Sequence, residues 1–190
     1  MTAINSSTSR PAALVLFAHP RAHLSRVNRR LALAARGLEH VEVLDLYETY
    51  PDFYIDVAAE QARLAAAEVV VFLHPLLWYS MPSLLKEWVD AVLLPGWAHG
   101  EGGHALAGKT WWMVASTLSP AGQYAAEGLH GRPLDEFLHP FSQIAQLCSM
   151  RWEPPLVLHD AHQVDAGAVD AHQAAFVARL DALLHHPEPR

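Results

Sequence analysis

A chain of 190 residues with 52% hydrophobic content can bury one sizeable core, so a single domain is expected. A formal charge of -7 with no basic stripe argues against a nonspecific grip on nucleic acid, which depends on clustered Lys and Arg. The lone cysteine, Cys148, excludes an intrachain disulfide and points to a reducing compartment.

The opening MTAINSSTSRP is polar and lacks a signal-peptide run, and no later stretch is long and uncharged enough to span a bilayer. A cytoplasmic protein is expected, with a flexible tail over residues 1–11 and one domain over 12–186. AALVLFA, from Ala12 to Ala18, opens a series of five apolar runs. VEVLDL (Val41 to Leu46), VVVFL (Val69 to Leu73), TWWMVAS (Thr110 to Ser116) and PLVLH (Pro155 to His159) complete it. Runs apolar along their whole length predict strands covered on both faces, as in parallel sheets with helical crossovers.

Helical patterns fill the gaps. RVNRRLALAARGL is expected to start at an N-cap, Ser25, and to end near Gly37. DVAAEQARLAAAE, PSLLKEWVDAVLL, LDEFLHPFSQIAQLCS and VDAHQAAFVARLDALLHH supply the other helices, with Pro140 expected to kink the fourth or delay its start. Cys148 reads as a small apolar residue of that fourth helix. Strict alternation of strand and helix predicts an α/β fold: an open five-stranded parallel sheet of order 2-1-3-4-5, with helices on both faces.

In such a sheet a ligand binds outside the carboxyl ends of the strands. The loop after the first strand, HPRAHLSRVN, brings Ser25 and the first amides of a helix to that edge, where a phosphate is favoured by free N–H donors and the helix dipole. It has neither GxGxxG nor GxxxxGK[ST], so another phosphate-bearing cofactor is required. The loop after the third strand, HPLLWYSMP, sets aliphatic and aromatic groups where they could lie along a flat conjugated ring, although Trp78 and Tyr79 could equally plug a seam between helix and sheet.

HPLLWYSMPSLLKEWVDAVLLPGWAHG resembles the flavodoxin-like NAD(P)H:quinone oxidoreductases, which carry a proline-led tryptophan-aromatic loop followed by P-x-x-L-K-x-W. HPRAHLSRVN is similar to their first phosphate loop, and STLSPAGQYAAEGLHG to their fourth-strand loop with its tyrosine and G-x-H-G histidine. YPDFYIDVAAEQ narrows the resemblance to the small ancillary oxidoreductases of glutathione-gated potassium efflux systems.

The resemblance implies that His19, Ser25 and Asn28 surround a flavin phosphate or pyrophosphate, with Arg26 nearby. It places Pro75, Leu76, Leu77, Trp78 and Tyr79 along the isoalloxazine, and Ser116, Thr117, Leu118 and Ser119 at its pyrimidine side. Tyr124 and His130 fall on the family's tyrosine and histidine near the flavin carbonyl and the hydride-transfer pocket; they are the catalytic candidates. FMN is expected ahead of FAD, with NADPH or NADH as hydride donor and a quinone as acceptor in a two-electron ping-pong cycle. A regulatory flavin-bound subunit of a potassium efflux transporter, peripheral at the inner face of the membrane, is the alternative, together with an azo, nitro or flavin reductase.

Two departures from the family pattern stand out. Leu118 and Ser119 replace two glycines of a T-T-G-G turn, where glycine permits close approach or positive φ. His99 and Glu101 stand where relatives place tyrosines that roof the site from a partner subunit. A homodimer is implied, supported by the difficulty of placing Trp97, Trp111 or Trp112, if exposed, on a soluble monomer. HDAHQVD and HGEGGH mix imidazole and carboxylate but match no zinc pattern, and no GxSxG elbow is present, so neither a metal site nor hydrolysis is expected.

Overall fold

The structure, a computed structural model, describes residues 13–185; the tail expected over residues 1–11 lies outside them. Five strands form one sheet: β1 (Ala13–Phe17), β2 (Val41–Asp45), β3 (Val69–Pro75), β4 (Thr110–Ser116) and β5 (Arg151–Leu158). Their order is β2-β1-β3-β4-β5 and every pairing is parallel, the expected topology.

The apolar runs are strands because both of their faces are covered. Leu14, Leu16, Val70, Phe72, Trp111 and Met113 point to one core; Ala13, Val15, Phe17, Val69, Val71 and Trp112 point to the other. Helices α1 (Asn28–Ala35) and α6 (Ala166–His185) close the second face. Helices α3 (Val57–Ala66), α4 (Ser83–Val92) and α5 (Leu134–Leu147) close the first.

A four-residue helix, α2 (Leu46–Thr49), was not expected; the Asp45 side chain accepts from the backbone N–H of Tyr47 and Glu48 and starts it there. Helix α5 runs from Leu134 through Pro140, which therefore does not delay its start. Pro140 lies exposed, where water can serve the carbonyl that loses its donor. Edge strand β5 begins earlier than its sequence pattern predicts and includes Pro154 and Pro155, with a register shift opposite Trp112 and Val114. An edge tolerates prolines because one side of the strand needs no N–H donors.

Helix α1 corrects the expected N-cap. It starts at Asn28 after Val27, whereas Ser25 closes a preceding 3-10 turn by donating its N–H to the Ala22 carbonyl. The tryptophan argument for a dimer is also overturned. Trp111 and Trp112 are buried inside the chain, where they stack on Phe72 and Phe176, and Trp97 is half-buried.

Helices α3 and α4 meet at a buried acid. Glu60, with 0% exposure, accepts from Tyr50 Oη at 2.6 Å and Trp88 Nε1 at 2.9 Å, and pairs with the Arg63 guanidinium. Burial, and then the bond to Glu60, push the Tyr50 phenol up to about 12, so it remains a donor. The tryptophan of the P-x-x-L-K-x-W pattern is thus a structural residue. Trp88→Phe leaves Glu60 Oε2 without its donor and removes ring volume from the core. It should lower stability by about 2–4 kcal/mol, measured as a reduced urea midpoint.

Candidate functional site

The carboxyl ends of β1, β3, β4 and β5 open on a cleft of about 340 Å³, within the roughly 300–1,000 Å³ range of small-molecule sites. His19, Arg21, Ser25 and Arg26 line one end of it; Pro75, Leu76, Leu77 and Ser116 to Leu118 line the other. Backbone bonds lock the edge together: Ala18 N–H to Leu73 O, Leu76 N–H to Ser116 O at 2.8 Å, and Thr117 N–H to Leu158 O.

The first end suits an anion by its side chains more than by its helix. Arg29 N–H is taken by Ser25 Oγ at 3.2 Å, and the Arg30 and Leu31 amides by Val27 O, so these first-turn donors of α1 are already engaged. Burial first, then the Arg21 charge, push the His19 imidazole below its ordinary value, with His162 and His23 adding in the same sense. His19 Nδ1 accepts from Arg21 N–H at 3.1 Å, which leaves Nε2–H as a donor. Arg26 spans to the loop after β5, donating to His162 O at 2.9 Å. Asn28 is buried and does not line the cleft; its Nδ2 has no partner among the described residues.

The other end is made by a strained turn. Leu77 and Ser80 exchange two backbone hydrogen bonds across Trp78 and Tyr79, whose φ values are 48° and 64°. This is a two-residue hairpin with two bulky aromatics in the left-handed region, which usually takes Asn-Gly and costs roughly 1–2 kcal/mol per residue. Strain of this kind gathers at functional sites. Trp78 is 94% exposed, whereas Tyr79 stacks on Phe137 at 4.9 Å, so neither walls the cleft.

Beside the cleft, Tyr124 and His130 stack at 4.3 Å, with Phe137 against both. His130 Nε2 lies 2.9 Å from Ser119 Oγ, and its Nδ1 lies 3.4 Å from Tyr79 Oη. Burial raises the Tyr124 phenol above its ordinary value, held back by hydrogen bonds to Thr117 and Ser119.

The G-x-H-G pattern has a steric cause. A Cβ on Gly128 would sit 2.4 Å from Gln123 O, and Gly131 has a φ of +62°, so glycine at both lets His130 turn back onto Tyr124. Neither Leu118 nor Ser119 has positive φ, so losing the two glycines brings no left-handed strain. His99 lines a separate groove between α4 and α5.

The structure therefore brings together His19, Ser25, Arg26, Pro75 to Leu77 and Ser116 to Leu118 in the cleft, and Tyr79, Ser119, Tyr124 and His130 in the neighbouring cluster. Asn28 and Trp78 stand apart. The sequence reading missed Arg21, Phe137 and the whole loop after β5, which supplies Ala161 and His162 to the cleft and His159 to the cluster. HDAHQVD is that loop. Among the described residues no group of three or more His, Cys, Asp or Glu is placed to hold a metal, and no helix is long and apolar enough to cross a membrane. A cationic end opening into a flat apolar slot matches the chemistry of a phosphorylated aromatic cofactor such as a flavin.

The family model described as a flavodoxin-like fold matches residues 12–184, and the chain belongs to that family. It is similar to the glutathione-regulated potassium-efflux system ancillary protein KefG of Yersinia enterocolitica: 43% identical over 174 residues, 92% of this chain and 95% of that protein. Among solved structures it resembles general stress protein 14 of Treponema denticola, solved in complex with FMN. That match has a TM-score of 0.86 and 36% identity over 91% of this chain and 99% of that one. An NADPH-quinone reductase from P. pentosaceus superposes with a TM-score of 0.78 at 27% identity, covering 86% and 94%.

Directly beneath the strained turn, at the end of β3, His74 is wholly buried and its imidazole is pushed down to about 4. Above about pH 6.5 it is neutral in both folded and unfolded chains; as pH falls toward 4 only the unfolded chain takes the proton, so stability is lost. The loss should approach roughly 3 kcal/mol at about 1.4 kcal/mol per pKa unit. Urea midpoints at pH 7.5 and about pH 4.5 should differ accordingly, and His74→Leu should flatten the slope.

Proposed function

We propose that the chain is a flavin-dependent NAD(P)H:quinone oxidoreductase. The observation that carries this reading is the joint geometry at one sheet edge: a cationic anion seat, an apolar slot and a hydroxyl-imidazole cluster. The FMN named for the Treponema denticola protein supports FMN as the cofactor, and the P. pentosaceus reductase supports the reaction class.

His19, Arg21, Ser25 and Arg26 would hold the phosphate, and Pro75 to Leu77 with Ser116 to Leu118 would flank the ring. A flavin there supplies two-electron hydride exchange, with nicotinamide and quinone taking turns in one pocket. Tyr124 and His130 offer donors where negative charge grows as hydride arrives, with Phe137 packed against both rings and Tyr79 against His130. Burial raises the Tyr124 phenol further above its ordinary value, so the hydroxyl is available as a donor.

Docking on a potassium-efflux transporter is the second reading, supported by the name and extent of the KefG similarity. A homodimer fits either reading and should appear in sedimentation at micromolar protein.

The purified protein should release FMN identifiable by mass and oxidise NADPH with added quinone. A chain without flavin or turnover overturns the enzyme reading. Flavin without turnover on any quinone, azo or nitro acceptor favours the transporter subunit. Tyr124→Phe and His130→Gln should each keep the flavin and slow single-turnover NADPH consumption, by less than the roughly 10²–10³ lost with a buried oxyanion donor, because this pocket must open to two substrates. Their combined effect should be less than additive if the two residues act as one unit. Parental rates in both variants would remove them from the mechanism.

A further inference from the structure

The loop after β5 is held against the cleft from two sides. Thr117, at the ring end, accepts from Ala161 N–H at 2.9 Å and donates its own N–H to Leu158 O. Arg26, at the anion end, donates through Nη1 to His162 O at 2.9 Å and through Nη2 to Val164 O at 3.5 Å. Within the loop Asp160, whose φ is 56°, takes the N–H groups of Gln163 and Val164 on its carbonyl. Between these ties Ala161 and His162 line the cleft, and His162 is exposed.

A planar guanidinium can serve two carbonyls at once, whereas a lysine ammonium is a point donor on a flexible stem. Two of the five N–H groups of Arg26 are committed to the loop in this way. The neighbouring helices do not depend on that contact, because Arg30 separately ties α1 to α6 through Asp170 and Gln173. Arg26 therefore holds the loop alone. The loop in turn sets His162 beside His19, Arg21 and Ser25 on the cleft wall, where no Asp or Glu stands among the described lining residues. An imidazole N–H in that company is a donor suited to an anion.

We propose that Arg26 is a positioning residue that latches the loop after β5 to the anion end of the cleft, and that His162, set by this latch, donates a hydrogen bond to the flavin phosphate. This rests on the flavin reading of the cleft and adds to it a binding residue from the fourth loop.

The test titrates the full-length protein, freed of flavin, with FMN and separately with riboflavin, which carries the same ring without the phosphate; quenching of ring fluorescence gives both affinities. His162→Ala should weaken FMN roughly tenfold or more and leave riboflavin unchanged, since one hydrogen bond to a charged group is lost. Arg26→Ala and Arg26→Lys should both speed amide exchange at Ala161, Gln163 and Val164 in the flavin-free protein, and lysine should not rescue although it keeps the charge. The Arg26→Ala, His162→Ala double variant should lose less FMN affinity than the product of the two single losses. Parental exchange in both Arg26 variants, or losses that multiply, overturns the latch. An unchanged FMN affinity in His162→Ala, or equal weakening of FMN and riboflavin, overturns the donor and leaves the flavin reading in place. A parent that binds neither flavin removes that reading and the donor with it, while faster exchange in the Arg26 variants still keeps the latch.

Discussion

The buried carboxylate of Glu60 fixes how the site can be built. By taking donors from Tyr50, Arg63 and Trp88 it clamps α3 to α4, and α4 begins just beyond the aromatic turn. The other side of that turn is the end of β3, held by Leu76 N–H to Ser116 O. The two left-handed aromatics, Trp78 and Tyr79, are held between two anchored posts, the end of β3 and the start of α4. A buried acid with several donors is costly to disturb, since removing any one donor leaves charge in a place water does not reach.

The rest of the site divides by chemistry along one strand end. Ser116 to Leu118 line the cleft, while the Thr117 hydroxyl meets His159 and the Ser119 hydroxyl meets His130. A seven-residue strand buried throughout its length, β4, delivers both sets from the same rigid support, so cleft and cluster cannot drift independently.

The sheet was legible because its inner strands are apolar on both faces, a pattern no exposed element shares. Where the reading failed, local and tertiary causes can be named. Ser25 looks like an N-cap in sequence, but the 3-10 turn that it closes delays α1 until Asn28. Helix α2 is only one turn long, and its cap, Asp45, sits at the end of a strand. Trp111 and Trp112 would argue for a dimer only if exposed, yet neighbours on a strand point to opposite faces and here each finds its own core. The binding edge was found at three of its four loops. The fourth, HDAHQVD, mixes imidazole and carboxylate without matching a known motif, and it reaches the cleft and cluster only through tertiary contacts with Arg26 and Thr117.

Pro154 and Pro155 lie in β5 on one rim of the sheet. Neither has an N–H, and the register shift beside them bends the ladder. A foreign strand approaching that rim meets missing donors and a kinked backbone, so the sheet resists lengthening into a continuous ribbon with another copy or with an unfolded chain. Resistance to aggregation is thus written into the same strand whose final loop helps to build the site.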